Sequence, residues 1–379
     1  MKKTLAAVAV LGAFAASASA DVTVYGRVDM GVNYNTDTEN FQVKSGQSSG
    51  NRWGLMGAEK ISEDLTVGFQ LEAGFDADTG ADKGGFNRES RLFVKTGYGT
   101  FHFGRMGTLS SGAGTVSIAD NLTVMGTGYG AFSGNMNFII NGDTRRDNVI
   151  TYQSPVIGGA TFYVQAASDE ANGGYKHHST NYYAAAVEYK AGALSAGLVA
   201  SLTDGACTDA TEKVWNKFPT VDLKIPLGAA GAVILKDQNL GDWLTGYKDV
   251  TYSTADAIAA AEGEEKTQVI AGVGYNFGVA NAKLTVAYTD YDVAGEESYG
   301  VLLGVAAPVA GGELQAQVGY ADGYDGETAD VERQSVAALY TYALSKRTSL
   351  YVGAGWQQEK TKAAKEDATE VFAGMLHKF

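Results

Sequence analysis

Val22-Thr-Val-Tyr-Gly-Arg-Val-Asp-Met-Gly-Val-Asn-Tyr34 carries Val, Val, Gly, Val, Met, Val and Tyr at its even positions and Thr, Tyr, Arg, Asp, Gly and Asn at its odd ones. A repeat of two puts one set on each side of an extended chain, whereas helical spacing would scatter both sets around an axis. The same alternation returns at 65–75, 284–289 and 350–357. The longest of these segments, 22–34 and 65–75, run about 11 to 13 residues, the span of a tilted strand that crosses a bilayer and longer than most strands of soluble sheets. Tyr34, Tyr288, Tyr340, Tyr342 and Trp356 fall near the ends of apolar faces, where membrane barrels carry aromatic belts.

The far end repeats the pattern. Val371-Phe-Ala-Gly-Met-Leu-His-Lys-Phe379 sets Val371, Ala373, Met375 and Phe379 on one face. Ahead of Val22, Lys2 and Lys3 precede an apolar run from Leu5 to Ala16 and a small-residue Ala18-Ser-Ala20 site. That arrangement reads as a secretory signal peptide over 1–20, leaving 21–379 as a single barrel domain. Without the leader, 27 basic residues face 43 acidic ones, a net charge of −16. Such a chain is ill suited to nucleic acid. The lone Cys207 excludes an internal disulfide framework. Past the leader, no apolar run reaches the roughly 20 residues of a membrane helix. The 49 Gly, 21 Tyr and 15 Phe beside only 4 Pro instead suit alternating strands.

The connections fall into two classes. Those at 61–64, 97–99, 154–159, 190–193, 277–281, 307–312 and 344–348 are short. Those at 35–50, 77–87, 107–144, 169–180, 203–266, 292–297, 323–334 and 358–369 are longer and more polar. Short turns on one side and long loops on the other string an up-and-down antiparallel barrel through a membrane, and a soluble β-sandwich has no reason to sort them so. The hairpins count to sixteen strands in an all-β transmembrane barrel. Eighteen result if 214–225 and 229–237 add a hairpin to the wall; Pro219 and weak alternation argue against that. Residues 255–265, rich in Ala and Glu, are expected to form a short helix in the same loop. The loop 107–144 is rich in glycine around an apolar Leu122, Val124 and Met125, a composition for close packing against an inner wall, and loops of that length are usually functional.

Val22-Thr-Val-Tyr-Gly-Arg27, Asn51-Arg-Trp-Gly-Leu-Met-Gly57, Arg91-Leu-Phe-Val94, Phe103-Gly-Arg105, Asn148-Val-Ile-Thr-Tyr-Gln-Ser-Pro155, Leu344-Ser-Lys-Arg-Thr348 and His377-Lys-Phe379 resemble, in this order and spacing, the general trimeric porins of Gram-negative bacteria, in their β-proteobacterial and neisserial style. Only 203–266 has no counterpart. The resemblance implies an outer-membrane homotrimer amid lipid and lipopolysaccharide, which passes ions and small polar solutes by diffusion, without a cofactor. It implies that the third outer loop, here 107–144, folds into the lumen, and that the final Phe379 is read by the barrel-assembly machinery. It also implies a basic ladder on the wall, carried over to Arg27, Arg52, Arg91 and Arg145, facing acids on the loop. There 107–144 departs from the pattern, with only Asp120 and Asp143.

Strand parity adds an independent test. Arg27 lies on the polar face of its strand, Arg52 is out of phase with Trp53 and Leu55, and Arg91 with Leu92 and Val94. Arg145 shares a face with Asp147, Thr151 and Gln153. All four are expected to point inward. Arg105 shares phase with Phe101 and Phe103 and ranks lower, as does Asp143, unless a bulge resets the strand. Guanidiniums suit a narrow aqueous gap because they stay ionised when crowded, and a channel with low-dielectric walls focuses their field. The overall acidity tips the expected preference slightly toward cations. A substrate-selective porin, or a non-conducting structural or adhesive barrel, are the alternatives. An enzymatic barrel would need a constellation that is absent: His102, His177, His178 and His377 form no HExxH or nucleophile–base motif. Gly126-Thr-Gly-Tyr-Gly130 lacks the strand–turn–helix setting of a phosphate loop.

Overall fold

The computed structural model describes residues 22–126, 128, 138–139, 144–168, 181–204, 221–226, 232–238, 265–291, 296–324 and 330–379. The expected leader 1–20, the 255–264 part of the expected helix, Asp143 and the His177-His178 pair lie outside the described residues.

Alternation becomes a wall. Strand β1 spans Thr23–Asn35, and β2 comes in two pieces, Asn40–Ser45 and Arg52–Lys60. β3 (Leu65–Gly74), β4 (Glu89–Thr96), β5 (Gly99–Gly107) and β6 (Arg145–Gln153) follow. Next come β7 (Ala160–Ala167), β8 (Asn181–Ala191), β9 (Leu194–Asp204), β10 (Lys266–Asn276) and β11 (Asn281–Tyr291). β12 (Glu296–Val309), β13 (Gly312–Gly323), β14 (Val331–Ala343), β15 (Thr348–Lys360) and β16 (Lys365–Lys378) complete the set. Each pairs antiparallel with its sequence neighbour, and β16 returns to β1 from Arg27↔Lys378 to Asn35↔Glu370. The result is a closed barrel of sixteen strands. Closure leaves no sheet edge, the condition for placing strand backbone in hydrocarbon.

The eighteen-strand alternative does not hold. β9 pairs directly with β10, from Leu194↔Tyr275 to Thr203↔Lys266. Val221–Pro226 and Ala232–Gln238 pair only with each other, as a separate two-stranded sheet. Two expected loops are also much shorter than 35–50 and 358–369. The ladder continues to Asn35↔Asn40 and to Lys360↔Lys365. The end of β15 is polar on both faces, as in Gln357-Gln-Glu-Lys360, and carries no apolar period; Phe41 and Val43 do alternate with Gln42 and Lys44, but over too few residues to announce a strand.

The two faces differ as parity requires. Val24, Leu198, Val286 and Val352 are outward and exposed, while Asp29, Val199, Ala287 and Tyr351, of opposite parity on the same strands, are buried. An apolar exterior around a polar, filled interior is stable only where the solvent is lipid. Inside, the end of β5 and the loop that follows it supply the core: Met106, Leu109, Ile118, Leu122, Phe138 and Ile139 form one buried cluster with Val149, Tyr182, Val199, Ile270 and Leu302 of the wall.

Candidate functional site

The wall of β1–β6 gathers the basic side chains. β2 is interrupted at 46–51, where Gly46 takes φ +71° and its N–H bonds the Asp29 carbonyl. The detour presents Ser49 to two arginines: Arg27 Nη1 and Arg52 Nη2 donate to its Oγ at 2.8 and 3.1 Å. Arg52 Nε donates to the Gly50 carbonyl. The buried Asp29 holds this detour by accepting from the Ser49 N–H at 2.7 Å and from the Tyr351 hydroxyl at 2.6 Å. Glu72 of β3 is the shared acceptor, 3.4 Å from Arg52 Nη1 and 2.7 Å from Arg88 Nε, and it also accepts from the Tyr25 hydroxyl. Arg27, Arg88 and Arg145 all lie within electrostatic reach of Arg52.

Arg91 stands slightly apart and is buried. Its guanidinium meets Glu89 at 3.3 Å, Gln70 Oε1 and His102 Nδ1. Glu89 in turn accepts from the Thr115 N–H of the inward loop at 3.0 Å, so this ion pair anchors the loop's first turn as much as it charges the lumen.

β6 departs from simple parity. Gly104 pairs Val149 but Met106 pairs Arg146, so two residues of β6 stand opposite Arg105 alone, with Asn148 at φ +54°. Such a bulge shifts phase by one residue. Arg146, Val149 and Thr151 are therefore the buried positions, and Asp147 is exposed rather than sharing a face with Thr151. The extra residue falls on β6, so Arg105 keeps the phase of Phe103; it pairs with Asp147 at 2.7 Å and donates to the Asn87 carbonyl. Arg145 joins the cluster from the strand end, donating to the Arg88 carbonyl at 2.8 Å with Glu89 and Glu72 in electrostatic reach. Arg146 packs its guanidinium 5.4 Å over the Tyr182 ring.

The opposite wall receives the loop. Asp120 sits in the short 3₁₀ turn Ala119–Leu122. Around it, Asn121 Nδ2 bonds Glu188, Lys283 Nζ donates to the carbonyls of Asn121 and Thr123, and Thr285 Oγ1 donates to that of Leu122. Farther along, Met125 packs with Ala337, Leu339, Tyr351 and Phe372, and Gly128 meets the Ser48 carbonyl at the detour in β2. The loop thus runs along the inside of the wall from β7 to the broken strand. Arg88, Glu72, Glu89, Lys283 and Ser49 were not singled out from sequence. Arg88 follows the Gly84-Gly85 turn, where there is no strand phase to read, and nothing local announces the detour.

Comparison with known proteins decides the family. A model of the Gram-negative porins matches residues 6–234 and 235–362. This chain belongs to the Gram-negative porin family. An outer membrane porin protein of Bordetella pertussis is 27% identical with 100% of both chains covered. The major outer membrane protein P.IB of Neisseria lactamica is also 27% identical over 100% of both. Among solved structures, an anion-selective porin from Comamonas acidovorans has a TM-score of 0.71 at 23% identity, covering 95% of this porin and 100% of that chain. OmpT of Vibrio cholerae in its trimer form scores 0.64 at 15% identity, covering 94% and 99%. The porin is an outer-membrane protein whose barrel serves passive diffusion of ions and small hydrophilic solutes.

Proposed function

We propose that the charged wall of β1–β6, with Arg27, Arg52, Arg88 and Arg145 at its centre and Arg91 beneath the loop, forms the pore constriction and favours small anions. Five guanidiniums meet three carboxylates there: Glu72, Glu89 and Asp29. That local surplus carries the reading against the acidity of the whole chain, because fields focus at the narrowest aqueous section and weaken over a Debye length of about 8 Å. The anion selectivity of the Comamonas porin agrees with this choice. Asp120 and Asp143 are the only acids of the 107–144 loop, too few to reverse it, and Arg105, paired with Asp147, contributes less than the four central arginines.

Three barrels form the working assembly on this reading, set in outer-membrane lipid and lipopolysaccharide after removal of residues 1–20. Phe379 is the residue handed to the barrel-assembly machinery. The porin family and the names of the relatives support a channel rather than an enzyme.

Purified protein in a planar bilayer is expected to open in steps, in groups of three. In a salt gradient its reversal potential should lie on the anion side. Replacing Arg27 and Arg145 together by Ala should lower the anion-to-cation permeability ratio by roughly twofold or more. An unchanged potential would remove these two residues from the constriction. A cation-side potential in the unaltered protein would return the reading to the acidic loops.

A further inference from the structure

Five strands opposite the arginines share one cross-strand rung. Gly197 of β9 pairs Gly272 of β10, which pairs Thr285 of β11, then Leu302 of β12, then Gly319 of β13. All five positions lie on the lumen face, alternating with outward residues such as Leu198, Val273, Val286, Leu303 and Val318. The inward loop is seated on this rung at successive points. A Cβ on Gly197 would stand 2.7 Å from Leu122 Cδ2, and one on Gly272 would stand 2.9 Å from Leu122 Cβ. Next along, Thr285 donates to the Leu122 carbonyl. At the end of the rung, Gly319 leaves room for Phe138, whose ring would lie 2.8 Å from an added Cβ. Two further lumen glycines of β12 do the same: Gly304 against Val124 and Gly300 against Ile139. None of these five glycines has a positive φ, so it is the missing side chain, and not an unusual backbone, that these positions supply.

We infer that this glycine-lined rung sets the bore of the pore: it is a socket that lets the loop lie flush with the far wall and leaves the gap in front of the arginines open. The side chains missing from the wall are replaced by Leu122, Val124, Phe138 and Ile139, of which Leu122, Phe138 and Ile139 are buried in the contact. Any atom added to the socket has to push the loop toward the lumen, because the barrel behind it is a closed hydrogen-bonded ladder that cannot retreat. These glycines are thus positioning residues for permeation, and they act on width and not on charge.

The proposal rests on the diffusion-pore reading, and one experiment separates the two. Single-channel conductance and exclusion of graded polyethylene glycols are measured for the unaltered protein, Gly197→Val, Leu122→Ala and the double variant, each checked for native β-sheet content. Gly197→Val should lower conductance by about twofold and lower the polymer cutoff, with the reversal potential unmoved. Adding Leu122→Ala, which removes the atom in conflict, should restore both. Gly304→Ala, with Val124→Ala as its relief, carries the same comparison with a smaller insertion if Gly197→Val does not assemble. Unchanged conductance in a folded glycine variant, or a double variant that stays narrow, overturns the socket. A silent unaltered protein would instead overturn the pore itself.

Discussion

On β1–β6 the lumen positions carry long charged side chains that grip one another; on β9–β13 several equivalent positions carry no side chain at all. The first wall keeps its arginines in place through shared acceptors, Glu72 and Ser49. The second receives the side chains of a distant loop into its gaps. One face of the pore is therefore a matter of electrostatics and the other of volume, and a permeant passes between them. The difference teaches that a constriction can be tuned along two independent axes, and substitutions on one wall should leave the other wall's property alone.

The most disruptive test of that separation is Glu72→Gln. It removes the carboxylate that Arg52 and Arg88 share, leaving crowded cations with a neutral acceptor. A loss of about 2–4 kcal/mol is expected, read as a lower urea midpoint in detergent. The folded fraction should become more anion-selective with its polymer cutoff unchanged. Ser49→Ala should act more gently. It frees Arg27 and Arg52 from one hydroxyl at a cost of about 1 kcal/mol, with a small shift in reversal potential and little change in conductance. The mildest change is Thr285→Val on the opposite wall. It deletes one hydrogen bond to the Leu122 carbonyl, worth about 1 kcal/mol, and should appear as current flicker at an unaltered reversal potential. Flicker from Ser49→Ala, or a potential shift from Thr285→Val, would show that the two walls are coupled.

The same contrast explains what could be read beforehand. Strands with one lipid-facing side announce themselves, because hydrocarbon selects apolar residues at every second position; 22–34 and 371–379 needed nothing more. Arg27, Arg52 and Arg91 followed by counting from those faces. The count failed at β6, where one extra residue opposite Arg105 turned Arg146 to the buried face and left Arg145 to reach the cluster from the strand end. A bulge is an event between strands, and neither sequence alone records it. Ser49 was hidden for a related reason: the break in β2 is visible only as the place where the ladder to β1 changes partner. The glycines were plain in the composition but silent about purpose. A missing side chain has meaning only once its occupant is known, and Leu122 reaches Gly272 from a loop far away in sequence.

The seam between β1 and β16 carries a consequence for how this molecule is made. Gly26 and Phe379 exchange both backbone hydrogen bonds, and Asn33 reaches Glu370 across 337 positions. An added Cβ on Gly26 would strike the Phe379 ring, so the first strand keeps a vacancy for that aromatic side chain. Contacts of such high sequence separation pay their loop-closure entropy before they return anything. The opening strand, first to be exported, must wait with the edge it turns to β16 unpaired until that strand arrives, and an unpaired edge is a template for the wrong partner. Closing the circle therefore doubles as a check on completeness: a chain cut short by even its final strand keeps an open edge.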